Sequence, residues 1–402
     1  MKTLSLLTEK EKSLLNKNLL EIISYRKSGL SLNHVIGCPL DCAYCVRHFF
    51  ENFEMKIPKL ICSDEEAIHQ LLNHKYFVPH ITPLQIFNRA TDPFVPNVKF
   101  HTHYILKELD KRGLKNMVLI ITRANVTKDD VEMLEQLENL RITILVTYSG
   151  FKDSVVEPIS KKGITQQSIK TISKFKSRTK LVLYWRPIIV GWNDTNEHFN
   201  RVLGLSKYVD AIVYTGYYHR AENHAYLSSI GVNINYDEFS RRKIFPLSLE
   251  KRILECYKKL QIKTPLFRKT SCGVSFAHKI HDYNGHWGIN ELCEICPENQ
   301  KIRCSKNHKP PIDNEFLNLL KKFDYDTLFL REGGHIWTEN LGEEKRYHLQ
   351  HLLQYQIWDI EKPHFSFQHG RSTVGQTIAD DEHTWYKELR QKFSKKATVQ
   401  ND

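Results

Sequence analysis

Short aliphatic runs alternate with longer stretches in which apolar positions recur every three or four residues. The runs at 32–36, 84–88, 117–122, 142–147, 180–187 and 210–215 have the length and near-continuous apolarity of strands covered on both faces. The stretches at 64–73, 98–111, 128–138, 165–176 and 197–207 repeat at helical period. Alternation of the two predicts a parallel sheet with crossover helices. Six such units predict an α/β fold, a partial (β/α)6 TIM-like barrel over residues 30–216. Ahead of it, Thr8 and Glu11 are spaced as a capping box, and Leu14, Leu15, Leu19, Ile22 and Ile23 follow at helical spacing, which predicts an N-terminal helix within 1–29.

Behind the sixth unit, residues 217–309 read as a basic connection leading into a C-terminal cysteine-rich metal module, with a helix at 248–260 and a strand at 264–269. Residues 310–394 read as a small α+β tail domain: a helix at 313–323, a hairpin about Gly333 and Gly334, and a helix at 343–358. Residues 395–402 are expected to be a disordered tail.

Composition narrows the setting. No apolar run approaches the roughly 20 residues of a spanning helix, there is no signal peptide, and Glu9, Glu11 and Glu21 argue against a transit peptide, so a cytoplasmic protein without a membrane partner is expected. Nine cysteines in a chain of 402 residues without a secretory signal point to metal ligation rather than to a disulfide framework. The net charge of +12 is concentrated: residues 158–309 carry 26 Lys and Arg against 12 Asp and Glu. Such a surplus suits a phosphate-rich partner, nucleic acid above all; a solvated helix face balancing anionic clusters is the plainer explanation.

The chemistry begins directly after the first apolar run, where Cys38, Cys42 and Cys45 are spaced C-x3-C-x2-C. Three thiolates from one short loop can hold three irons of a 4Fe-4S cubane, leaving the fourth open to an exchangeable ligand, and an open metal position marks a working site. With Tyr44 before the third cysteine, this loop resembles the signature of the radical S-adenosylmethionine (radical SAM) superfamily. The resemblance covers roughly residues 30–216. It implies that the free iron chelates S-adenosylmethionine through its amino and carboxylate groups. It also implies that an electron, from reduced ferredoxin or flavodoxin, splits the sulfonium to give a 5'-deoxyadenosyl radical.

Ligands of such barrels lie at the C-terminal strand ends, so each end was read against the resemblance. The second strand ends Asn88-Arg89-Ala90-Thr91-Asp92-Pro93-Phe94, similar to the variant of spore photoproduct lyase-like members. Asn88, Thr91 and Asp92 there offer acceptors for an ammonium, or else cap a turn. Arg123, ending the third strand, is placed to meet the methionine carboxylate. Thr147 and Ser149, ending the fourth and followed by Glu157-Pro158, suit a ribose. The fifth end, with Arg186 and Asn193, is similar to the family's strand end against adenine. At the sixth, Tyr217 and Tyr218 are candidate hydrogen-atom donors, with buried packing as the plainer role. Cys62 and Cys256 are further donor candidates.

A second group, Cys272, Cys293, Cys296 and Cys304, is spaced C-x20-C-x2-C-x7-C with His308 close behind. Four thiolates suit a second iron-sulfur cluster, while Cys293, Cys296, Cys304 and His308 equally suit tetrahedral zinc. Three functions follow: a radical enzyme acting on nucleic acid or a nucleotide, consistent with a tail similar to a helix and wing unit; a radical enzyme modifying a peptide, with an auxiliary cluster; and a non-catalytic metal-dependent nucleic-acid binder, which leaves the open-corner triplet without a purpose.

Overall fold

The computed structural model describes residues 4–151, 153, 155–159, 163–218, 220–232, 246–332, 334–361 and 387–394. Thr8 closes its capping box on Glu11 and opens α1 (Glu9–Ser13). The helix expected to continue through Ile23 ends there. Asn16, a good cap and a poor interior residue, starts a separate turn, α2 (Lys17–Leu20), and the chain then extends into β1 (Ile23–Arg26), which turns back as β2 (Gly29–Leu32). The apolar run at 32–36 also divides. β2 enters the main sheet, whereas β3 (Val35–Ile36) pairs antiparallel with β4 (Lys59–Leu60).

From there helix and strand alternate as the periodicity requires: α3 (Asp64–Leu72), β5 (Leu84–Ile86), α4 (Lys99–Lys111), β6 (Met117–Thr122), α5 (Lys128–Glu135), β7 (Arg141–Tyr148), α6 (Ile164–Phe175), β8 (Lys180–Ile188), α7 (Asn196–Leu203) and β9 (Ala211–Gly216). Next come α8 (Ala221–Ser229), α9 (Leu247–Lys259), β10 (Leu266–Phe267), α10 (Thr270–Ala277), α11 (Asn290–Cys293) and α12 (Glu298–Asn307). The tail holds α13 (Asp313–Lys322), β11 (Phe329–Glu332), β12 (His335–Thr338), α14 (Glu343–Leu353) and β13 (Ile357–Asp359). Its last helix is shorter than expected: Gln354 takes a left-handed conformation, and the chain returns as β13, parallel to β12. Gly333, half of the expected hairpin turn, and the tail at 395–402 lie outside the described residues.

Among the described residues the main sheet has eight strands in the order β1-β2-β5-β6-β7-β8-β9-β10, with β1 antiparallel at one edge and every other pair parallel. Both faces are covered, which is why its strands read as continuous apolar runs rather than alternating ones. Val118, Ile120, Ile144, Leu183 and Trp185 pack with the crossover helices, which contribute Leu106, Leu134, Ile169 and Phe199. The residues between them, Leu119, Leu145, Val182, Tyr184 and Val213, face the other way and pack with Val274 and Ala277 of α10. Thus α10 lies on the second face, and the cysteine-rich segment that follows is carried beneath the sheet. A buried ion pair fixes that segment: Arg268 contacts Glu250 at 2.6 Å, both nearly inaccessible, and reaches Glu294 at 2.8 Å. The tail is fixed at the opposite edge, where Glu344 accepts from the Tyr25 amide at 2.9 Å. No helix among the described residues is long and apolar enough to cross a membrane.

Candidate functional site

Along the face that α10 covers, each central strand changes character toward its C-terminal end. Leu119 and Ile121 give way to Arg123, Leu145 to Thr147, Val182 to Tyr184 and Arg186, and Val213 to Thr215. These polar ends, together with Thr270 at the start of α10 and the loop after β3, enclose a cavity of ≈ 750 Å³. Because alternate residues of a strand share a face, the same pattern that fills the sheet's interior sets this polar ring above it.

Cys38, Cys42 and Cys45 line one wall, none of them in a disulfide. Gly37 begins their loop at φ +91°, where a Cβ would meet the Ile57 carbonyl oxygen at 2.7 Å, so the turn admits glycine alone. Beneath the loop, Arg47 is 1% exposed. Its Nη2 donates to the Leu40 carbonyl at 3.1 Å and its Nη1 to those of Phe53 and Met55 at 3.0 and 3.2 Å. The loop's carbonyls thereby turn inward onto one guanidinium, and its thiols outward. Burial pushes the Cys38 thiol up to about 12 and moves the Cys42 thiol further in the same direction. Thiols so placed ionise when a cation coordinates them, which is the chemistry of a metal-ligand set.

Tyr44 anchors the loop from the other side. Its phenol donates to Glu157 Oε2 at 2.7 Å, Ser149 Oγ donates to the same oxygen at 2.5 Å, and Arg123 pairs with Glu157 Oε1 at 3.2 Å while also donating to the Tyr44 phenol. Glu157 is 2% exposed, so its charge is balanced inside the protein by Arg123. Arg123 is therefore engaged within the fold and presents only part of its fork to the cavity.

The Thr91-Asp92 turn combines both roles open to it. Asp92 accepts from Thr122 Oγ1 at 2.6 Å and from the amides of Arg123 and Phe94 at 2.9 and 3.0 Å, and burial raises its carboxyl pKa. Thr91 Oγ1 is buried with no hydrogen-bond partner. Asn88 accepts from Ser31 and donates to Gln85 at 2.5 Å. All three line the cavity, as do Tyr44, Arg123, Thr147, Arg186, Tyr217 and Tyr218.

Ser149 and Asn193 do not line it. Ser149 is turned onto Glu157, and Asn193 is fully buried, donating to the carbonyls of Ser149 and Pro187 at 2.7 and 2.8 Å and accepting from the Ile189 amide at 2.8 Å. Asn193 ties together the loops beside the site. Cys62 and Cys256 also lie off the cavity, the latter contacting Asn200 at 3.3 Å.

Cys272, Cys293, Cys296 and Cys304 converge on a second, much smaller cavity of ≈ 20 Å³, also lined by Asp282 and His286. Ligand atoms of Cys272, Asp282 and His286 lie within 4.8 Å of one another. His308, a zinc-ligand candidate by spacing, instead stacks on Tyr355 with ring centroids 5.1 Å apart and does not line this cavity. The Asp282 amide and the Gln300 side chain each donate to Cys304 Sγ at 3.4 Å, as donors around a metal-bound thiolate do. Thr270 lines the first cavity and Cys272 the second, so one turn of α10 separates them.

Sequence reasoning missed Arg47, Asn223, Arg220 and Thr270 at the first site, and Asp282 and His286 at the second. Only Arg47, a charged residue amid loop aromatics beside the cysteine triplet, carried a local signal.

No protein-family model and no curated protein matches the chain. Among solved structures it is similar to a spore photoproduct lyase variant with bound AdoMet and dinucleoside spore photoproduct, at TM-score 0.46 and 12% identity over 61% of this chain and 78% of that one. It is also similar to Streptococcus suis SuiB bound to S-adenosylmethionine, at TM-score 0.41 and 12% identity over 64% of this chain and 54% of that one.

Proposed function

We propose that the chain is a radical SAM enzyme in which Cys38, Cys42 and Cys45 hold a 4Fe-4S cluster and the adjoining cavity takes S-adenosylmethionine and a nucleic-acid or nucleotide substrate. One observation carries this reading: three free, largely buried thiols from a single loop share a cavity with the polar C-terminal ends of five parallel strands. When bound, the cluster supplies the electron, delivered by reduced ferredoxin or flavodoxin, that cleaves the sulfonium bond of S-adenosylmethionine. The chain's own residues bind and orient. Asn88, the unpartnered hydroxyl of Thr91 and the carboxylate of Asp92 suit the coenzyme's ammonium, Arg123 its carboxylate, and Thr147 its ribose. Glu157 holds both Tyr44 and Arg123, so the ligand loop and the coenzyme wall are braced against one carboxylate.

Tyr217 is 6% exposed, and burial pushes its phenol up to about 12. At neutral pH it keeps its hydrogen, as a hydrogen-atom donor must. A basic surplus between residues 158 and 309 supports a phosphate-bearing substrate.

A second reading is that the substrate is a peptide. It draws on the second metal-ligand cavity, one helical turn from the first, where Cys272, Cys293, Cys296 and Cys304 would hold a second iron-sulfur cluster or zinc.

Anaerobic purification with iron and acid-labile sulfide analysis, followed by dithionite and S-adenosylmethionine, tests the assignment. Formation of 5'-deoxyadenosine by the wild type and its loss in Cys42→Ala is the expected result; a colourless, sulfide-free protein that leaves the coenzyme intact refutes it. Co-purifying nucleic acid retained at low salt and lost with added salt would favour the first substrate class over the second.

A further inference from the structure

The cationic residues around the cavity fall into two groups. Arg47, Arg89 and Arg123 serve the protein: Arg47 holds the cysteine loop, Arg89 donates to the Leu19 and Glu21 carbonyls, and Arg123 pairs with Glu157. Arg186 and Arg220 do neither. Among the described residues neither has a carboxylate or carbonyl partner. Arg186 lies over the Tyr184 ring, 4.7 Å from its centroid, and donates one bond to that phenol at 3.1 Å. Arg220 lies over Phe49 at 4.6 Å and Tyr218 at 5.0 Å, donates to the Tyr218 phenol at 2.5 Å, and has a buried Nε without a partner.

The two belong to adjacent strand ends. Trp185 pairs with Tyr214 and Ile188 with Gly216, so Arg186 at the end of β8 stands beside the segment that leaves β9 for Arg220. A guanidinium offers five N–H donors, so most of this fork capacity is left for a ligand. The coenzyme brings a single carboxylate, which leaves at least one of these arginines for something else.

We propose that Arg186 and Arg220 form an anion subsite that grips a phosphodiester of the substrate; this rests on, and deepens, the nucleic-acid reading given above. Planar forks match two phosphate oxygens at a time, and a pair of them suits phosphate better than the single ammonium of a lysine would. The aromatic setting favours nucleic acid over an acidic peptide. Tyr184, Tyr218 and Phe49 interleave with the two charges, giving the mix of ring faces and cations on which bases stack and backbones lie.

The test is calorimetric, on the full-length, cluster-loaded chain without S-adenosylmethionine. The probes are a dinucleoside monophosphate, its uncharged methylphosphonate counterpart and triglutamate. The phosphodiester should bind about 10-fold tighter than either other probe, and Arg186→Ala and Arg220→Ala should each weaken it by about 10-fold or more. Arg186→Lys should recover only part of the loss. Equal binding of the neutral probe, tighter binding of triglutamate, or variants that bind the phosphodiester like wild type would overturn the subsite. So would an Arg186→Ala variant whose coenzyme affinity falls in step with its phosphodiester affinity, since that arginine would then belong to the coenzyme. Should a variant fail to fold, the comparison of charged and neutral probes on wild type decides alone. Coenzyme cleavage is scored separately: its absence removes the radical reading and leaves phosphate binding measurable, and the converse result removes only the subsite.

Discussion

Tyr44 and Glu157, 113 residues apart in sequence, are joined by a 2.7 Å hydrogen bond that ties the cysteine loop to the segment following β7. The same carboxylate balances Arg123, so one buried acid organises two elements that share no local sequence.

Removing one side of this arrangement should cost more than a surface bond would. Tyr44→Phe is expected to lower stability by about 1–3 kcal/mol and Glu157→Ala by about 3–5 kcal/mol, because the latter leaves Arg123 buried without its counter-charge. Chemical denaturation of both single variants and the double variant should return a coupling energy above about 0.5 kcal/mol; additive losses would mean that the two residues act independently.

Arg47→Ala should leave the sheet intact yet loosen the cysteine loop, since Leu40, Phe53 and Met55 lose the donor that gathers their carbonyls. Reconstituted iron content is expected to fall to less than about half of wild type while the far-ultraviolet circular dichroism is retained. Arg47→Lys should not restore it, because a lone ammonium cannot span carbonyls on two sides. Wild-type iron content in both variants would remove Arg47 from the account.

How much of this was legible beforehand divides by the kind of signal. Strands such as 117–122 and helices such as 98–111 announce themselves because long apolar patterns reflect burial on fixed faces. The cysteine loop announces itself because its ligands are close in sequence. The N-terminal segment misled, as apolar positions at 14–23 suit either a helix or, after the Asn16 break, an edge strand. The contribution of α10 was hidden because its partners, Leu119, Leu145 and Val213, are distant in sequence, and a short helix of small residues carries little periodicity. Asp282 and His286 were invisible for the same reason: they complete a site only once the chain has folded around Cys272.

Acid should destabilise the protein well before its carboxylates titrate. His351 is 2% exposed, packed against Tyr25, and burial lowers its pKa from the ordinary value to about 3. The folded state keeps it neutral while the unfolded chain protonates it near pH 6.5. Its contribution is therefore complete above that value and drains away as pH falls toward 3, by about 2 kcal/mol at pH 5. Denaturation between pH 7.5 and 5 should show this slope, and His351→Gln should flatten it whatever its effect at neutral pH. An unchanged slope in the variant would exonerate His351.

Glu250 and Arg268 offer a sharper contrast. Glu250→Ala alone should lose about 3–5 kcal/mol by stranding a buried guanidinium, whereas Glu250→Leu combined with Arg268→Met should regain most of that loss. Thermal melts of the two proteins distinguish this from simple cavity formation, for which the double variant would be no better than the single.

Cys296→Ser should diminish the metal held by the second group without affecting the first. Metal analysis before and after the change is expected to show loss of one complement, with 5'-deoxyadenosine formation persisting. Loss of both complements together would mean that the two sites assemble as one.

Because α10 supplies the packing for one whole face of the sheet, the ribosome delivers that filling late. β6 through β9 emerge with Leu119, Leu145, Val182 and Val213 facing water, and they stay wet until residue 277 has left the exit tunnel. A nascent chain paused before then displays an oily trough, and truncations ending near 269 should precipitate rather than yield a smaller working barrel.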